Sequence, residues 1–180
     1  MHLKKDFIKE CLNNDAKAQE KLYRLFAPKM YGICLRFAKN RMEAEDILQE
    51  GFIKIFTNLK YFRNEGSFEG WIRRTIINTA INHYKKNLRD LNKIAIEHIN
   101  ITDKTDDDII SKLSVDELLE LINELPDGYR IVFNLNVIEG YTHKEIGKML
   151  NISENTSKSQ LSRAKHNLKK KIIKLKIRSN

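Results

Sequence analysis

"YTHKEIGKMLNISENTSKSQLSRAKHNLKKKI", Tyr141 to Ile172, contains two helices and the turn between them in legible form. Its "THKE", Thr142 to Glu145, has the form of a capping box, in which a hydroxyl and a carboxylate satisfy free backbone amides of a helix's first turn. The short helix that follows carries Ile146 and Leu150 inward, with Gly147 small where a second helix must pass close. Asn151 suits the left-handed conformation at a helix end, Ile152 plugs the corner, and Ser153 caps the next helix. There Leu161, Ala164, Leu168 and Ile172 recur at helical spacing and form an inward stripe. Asn155, Thr156, Lys158, Ser159, Ser162 and Arg163 lie at the amino-terminal end of that helix. All but Thr156 are read as outward, and they are the residue types that meet base edges and phosphates in a major groove. The pattern is a helix-turn-helix, and by itself it would suit a repressor equally well.

Helical spacing of apolar residues extends through nearly the whole chain, two prolines interrupt it, and no stretch alternates with period two. The fold class is therefore all-α. Helices are expected over Leu3–Leu12, Ala16–Lys39 and Glu43–Asn58, and from a Ser67 cap to Leu88. From Arg89 to Lys112 the periodicity fades and "TDKTDDD" appears, a charge run that reads as a solvated, flexible linker. "SVDE", Ser114 to Glu117, is a second capping box, and a further helix should open near Pro126 and close before Gly140. Two small helical domains result, 1–89 and 113–180, joined by the linker 90–112, with the helix-turn-helix in the second.

Lysine and arginine outnumber aspartate and glutamate by 33 to 24, a net charge of +9. Such a balance favours a polyanionic partner, because neutralising phosphates releases counterions. The positive charge is concentrated: nine bases and no acid from Asn155 onward, and six bases against Asp90 between Gly70 and Lys93. Cys11 and Cys34 sit among apolar residues without a metal-ligand spacing, as reduced thiols of a cytoplasmic protein would. No apolar run approaches a membrane span, and the amino terminus lacks the core of a signal peptide. The five histidines are scattered, and neither a paired-carboxylate constellation nor a glycine-rich phosphate loop occurs. Nothing here points to an enzyme, a metal or another cofactor.

Against this basic background "EAEDILQEGFIKIF", Glu43 to Phe56, places four carboxylates in eight positions. Ala44, Ile47, Leu48, Gly51, Phe52, Ile55 and Leu59 share one face and seat the helix in a core. Asp46, Gln49, Glu50 and Ile53 share another, acidic at one end and aliphatic at the other. Phosphates would repel it, so it suits a basic protein partner. Next comes a loop with Tyr61, Phe62, Arg63 and Asn64, in which Phe62 can serve as the anchor. Its other aromatic, guanidinium and amide groups could hold unstacked single-stranded bases. The following helix carries Arg73, Arg74, Lys85 and Lys86, with Phe68 and Trp71 read as packing.

Taken in order, these motifs resemble a bacterial RNA polymerase sigma factor of the extracytoplasmic function group. "EAEDILQEGFIKIF" is similar to that family's core-binding helix, "FEGWIRRTIINTAINHYKK" to its helix for the promoter −10 element, and Tyr141 to Ile172 to its −35-reading helix-turn-helix. The resemblance implies that Asp46, Gln49, Glu50 and Ile53 meet core RNA polymerase. It implies that Tyr61, Arg63, Asn64, Asn78, Asn82, Lys85 and Lys86 capture melted −10 strand, and that Asn155, Thr156, Lys158, Ser159 and Arg163 read −35 duplex in promoter DNA. It allows an anti-sigma factor as a further partner, and a charge-mimicking role for linker acids Asp103 and Asp106 to Asp108 in the polymerase channel. The family commonly has aspartate, valine and arginine where Asn82, Ser157 and Gln160 stand here. The rival among binding proteins, a two-domain repressor or activator, leaves the acidic-aliphatic face without a purpose. An anti-sigma regulator would not need two DNA-facing basic patches.

Overall fold

In the computed structural model the described residues are 5–63, 65–91 and 114–178, and among them there is no strand. The chain divides into two compact units, Met1–Tyr84 and Lys85–Asn180. Asn64 and the linker acids lie outside the described residues.

In the first unit α1 (Lys5–Leu12) is followed by α2 (Ala16–Phe37), α3 (Arg41–Asn58), a 3-10 turn (Leu59–Tyr61) and α4 (Phe68–Leu91), whose residues from Lys85 onward are counted with the second. Asp15 stops the first connection by accepting the Ala18 amide at 2.8 Å. Along α2, Leu22, Phe26, Met30, Ile33, Cys34 and Phe37 are buried at spacings that keep one face inward. Both cysteines are buried free thiols, and burial pushes that of Cys34 up to about 12. Such a thiol is held protonated and inert.

α3 begins at Arg41, two residues before the position its acidic run suggests. Asn40 is its cap, accepting the Glu43 amide at 2.8 Å, while the Glu43 carboxylate accepts the Lys39 amide at 2.6 Å. An asparagine at a chain bend satisfies first-turn amides better than the arginine and methionine that follow can. The whole apolar face read from the sequence, Ala44 through Leu59, is buried. Gly51 is where α3 and α4 close on each other, since a Cβ there would collide with Ile76 Cδ1. α4 starts from Ser67, whose hydroxyl accepts the Gly70 amide at 3.0 Å, and buries Phe68, Ile72, Ile76, Ile77, Ala80 and Ile81.

The second unit holds α5 (Val115–Asn123), α6 (Asp127–Phe133) continued by a π-helical turn (Asn134–Ile138), α7 (His143–Leu150) and α8 (Glu154–Arg178). Both expected capping boxes form, at Ser114 with Glu117 and at Thr142 with Glu145. Asn151 adopts the left-handed conformation with φ 59°, and Ser153 Oγ accepts the Thr156 amide at 2.9 Å. Leu161, Ala164, Leu168 and Ile172 of α8 are all buried, and the last three join Leu121, Ile122 and Leu125 in one core cluster. The π-helical turn is not legible in the apolar pattern. Its signature is the Glu139 amide reaching back five residues to the Asn134 carbonyl at 2.9 Å, and Asn136 then ties the connection by donating to the Tyr141 carbonyl at 2.9 Å.

Gly147 and Ile152 set the corner of the helix-turn-helix. A Cβ at Gly147 would stand 2.9 Å from the Ile152 carbonyl oxygen, a backbone atom that cannot rotate away. Gly147→Ala should therefore destabilise the second unit by about 1–3 kcal/mol. Gly32→Ala, in the interior of α2 with nothing within 4 Å of the new methyl, should stabilise the first by up to about 1 kcal/mol. Urea unfolding of the two variants followed by circular dichroism should move in opposite directions.

Candidate nucleic-acid and protein interfaces

The outer side of α3 presents Asp46, Gln49 and Ile53 to solvent, with Ile53 60% exposed. Because the helix starts early, Met42 is also on it, one turn before Asp46 and 71% exposed. The acid is thus flanked by an apolar side chain at each end, a symmetry hidden while the helix is read from Glu43. Glu50 behaves differently from its neighbours. It is half-buried, with one carboxylate oxygen 2.5 Å from Lys54 Nζ and the other 2.5 Å from His83 Nε2 of α4. Lys54, bonded to one oxygen, holds the Glu50 carboxyl below its usual range; partial burial opposes this, and His83 adds to it. A carboxylate only accepts, so His83 donates from Nε2.

Beyond α3 an aromatic cluster anchors the loop. Phe62 packs edge-on against Phe68 at 5.0 Å between centroids and lies 5.6 Å from Trp71, while Phe68 also meets Phe26 at 5.9 Å. These four rings are packing groups, as the spacing of Phe68 and Trp71 predicts. With Phe62 as the anchor, Tyr61 and Arg63 are left exposed, and the Lys60 ammonium lies 5.1 Å from the centre of the Tyr61 ring. On α4, Asn78, Asn82 and Lys86 are exposed and Lys85 half-buried. Their spacing puts all four on one stripe. Ile77, Ala80 and Ile81, on the other side of the helix, are buried.

At the start of α8, Asn155, Lys158 and Ser159 are exposed, whereas Thr156 and Arg163 are half-buried. Lys158 leans back onto Glu154 at 2.7 Å, and its ammonium holds that carboxyl below the usual range. Ser159 Oγ donates to the Thr156 carbonyl at 3.0 Å. The face is polar and cationic, and it stands at the end of the helix that a groove would receive.

Comparison with known proteins gives the family of the chain. The Sigma-70 region 2 family matches residues 22–90 and the Sigma-70, region 4 family residues 115–168, together more than half of the chain. The chain is 29% identical to the ECF RNA polymerase sigma factor SigW of Bacillus subtilis, over 92% of this chain and 94% of that one. The chain is an ECF sigma factor. It is also 24% identical to the ECF RNA polymerase sigma-E factor of Haemophilus influenzae, over 92% of this chain and 93% of the relative. Its fold resembles a solved structure of the sigma factor RpoE with the anti-sigma factor NepR from Bartonella quintana, at TM-score 0.51 and 18% identity, covering 86% of this chain and 96% of that one. Sigma factors direct RNA polymerase to promoters and are initiation factors, not enzymes. Among the described residues no group of His, Cys, Asp and Glu is placed to hold a metal, and no helix is long and apolar enough to cross a membrane.

Ser157 stands where the family commonly has valine, and the structure explains how this sigma factor tolerates it. The side chain points inward and is fully buried, and its hydroxyl lies 2.9 Å from His143 Nδ1 on α7. A buried hydroxyl is costly only when it lacks a partner. Ser157 lies one turn before Leu161, on the inward side of α8, but His143 as its partner is visible only once the two helices of the motif are packed. Ser157→Ala should cost about 1 kcal/mol by leaving the imidazole unmatched. The double replacement Ser157→Val with His143→Leu should recover most of that loss. Thermal unfolding midpoints of the wild type, Ser157→Val, His143→Leu and the double variant measure the coupling.

Proposed function

We propose that this sigma factor divides its contacts with the initiation complex among three faces. Asp46, Gln49 and Glu50, with Ile53, meet a basic coiled-coil clamp on the largest subunit of core RNA polymerase. Tyr61, Arg63 and Asn64 in the loop, with Asn78, Asn82, Lys85 and Lys86 on α4, capture the melted −10 strand. Asn155, Thr156, Lys158, Ser159 and Arg163 read −35 duplex. The corresponding domains are 1–89 and 113–180, joined by 90–112. The linker acids Asp103 and Asp106 to Asp108 take the place of nucleic-acid charge in the polymerase channel.

The observation that carries this reading is the exposed acidic-apolar face of α3 in a chain of net charge +9 whose candidate DNA faces, on α4 and at the start of α8, are polar and cationic. A repressor would have no use for such a face. Flipping a base out of duplex costs a few kcal/mol, and stacking on an aromatic returns about 1–3 kcal/mol per base. Strand capture by the free protein is therefore marginal, and opening belongs to the holoenzyme in the cytoplasm. The RpoE structure, determined with NepR, supports an anti-sigma factor as an additional partner.

Asp46→Arg should abolish capture of the protein by core polymerase in a pull-down, since it turns an attraction to a basic surface into repulsion. Weak binding of the carboxyl-terminal domain to duplex should stay as it is. Unchanged core capture would remove α3 from the polymerase interface. Lys158→Ala should lower run-off transcription from a cognate promoter roughly fivefold or more, the equivalent of about 1 kcal/mol or more per lost contact. Equal transcript from both proteins would take Lys158 off the reading surface.

A further inference from the structure

Among the described residues Met42 is the most exposed large apolar side chain, at 71%, and it adds nothing to the core. It stands in the first turn of α3, which is held within the chain: Asn40 accepts the Glu43 amide, and the Glu43 carboxylate accepts the Lys39 amide. At 3.6 residues per turn, Met42, Asp46, Gln49 and Ile53 fall within about 60° of one another, on one stripe three turns long. All four are exposed. Along the stripe an apolar side chain comes first, then an acid and an amide, then a second apolar side chain, with exposed Glu45 on one flank and half-buried Glu50 on the other. A single exposed methionine is ordinary. Two large apolar side chains about 16 Å apart, in line with carboxylates between them, match one kind of surface: a basic patch with an apolar contact at each end.

We propose that Met42 is an apolar anchor of the polymerase interface, seated in a recess of core RNA polymerase beside the basic patch that takes Asp46 and Glu50, so that the interface begins one turn before Asp46. The proposal rests on the assignment of α3 to polymerase. Attraction between surface charges acts at a distance and is screened by salt, so the carboxylates steer the approach. Apolar burial acts only on contact. Met42 and Ile53 therefore fix where along α3 the partner settles, because a slip of one turn would leave one of them in water. Methionine suits this place, being unbranched and flexible enough to fill a recess of irregular shape. Burying such a side chain is worth a factor of about ten or more in affinity. Since Met42 lies outside the core, its replacement tests the interface without disturbing the fold.

The test measures the affinity of full-length protein for purified core polymerase, by competition against fluorescently labelled wild type over a range of potassium chloride concentrations. The variants are Met42→Gln, Met42→Leu, Asp46→Asn and Asp46→Arg. An apolar anchor predicts binding about tenfold weaker in Met42→Gln at every salt concentration, because glutamine has a similar length and helix propensity but a polar end. It predicts binding within about twofold of wild type in Met42→Leu, which keeps the apolar volume. Asp46→Asn should behave differently, with a loss that shrinks as salt rises. Thermal unfolding midpoints of both Met42 variants should equal that of the wild type. Wild-type affinity in Met42→Gln, or an equal loss in Met42→Leu, would overturn the anchor. Self-association in sedimentation that Met42→Gln abolishes, with core affinity unchanged, would give the face to a second copy of the chain and also overturn it. Unchanged core affinity in Asp46→Arg would instead overturn the underlying assignment of α3.

Discussion

A helix in a small unit can turn one stripe of its surface inward, and the width of that stripe constrains everything else in this sigma factor. On α3 the stripe runs from Ala44 to Leu59, on α4 from Phe68 to Ile81, and on α8 from Leu161 to Ile172. Each fully buried isoleucine or leucine in these rows contributes about 1.5–3 kcal/mol. Their number leaves little freedom for any helix to roll. The outward stripes are fixed as a consequence: an acidic-apolar row on α3, an amide-and-lysine row on α4, a polar cationic row at the start of α8. Function is written on the faces that the core does not use.

At two places where a polar group intrudes on the inward side, a polar group from another helix meets it. Ser157 would be an unsatisfied hydroxyl in the heart of the helix-turn-helix if His143 did not stand 2.9 Å away. Glu50, on the boundary between the core stripe and the outer face, is matched by both Lys54 and His83. The loop before α4 uses aromatic packing in place of polar matching. Phe62 is drawn onto Phe68 and Trp71, which leaves Tyr61 and Arg63 at the surface. These matches let a short core hold side chains whose purpose lies elsewhere.

The sequence alone determines the all-helical class, both capping boxes, the left-handed turn at Asn151, the inward rows of α3 and α8, and the acidic face that separates a sigma factor from a repressor. All of these depend on residues within about two turns of one another, where helical periodicity and cap chemistry act directly on the local backbone. The tertiary structure decides the rest. It sets the start of α3 at Asn40, which brings Met42 onto the outer face, and the π-helical turn after Phe133. It also pairs Ser157 with His143, 14 residues away, and Glu50 with His83, 33 residues away. A periodic pattern says which side of a helix is buried, but which polar group meets which depends on how two helices cross, and that is set by the packing of whole faces.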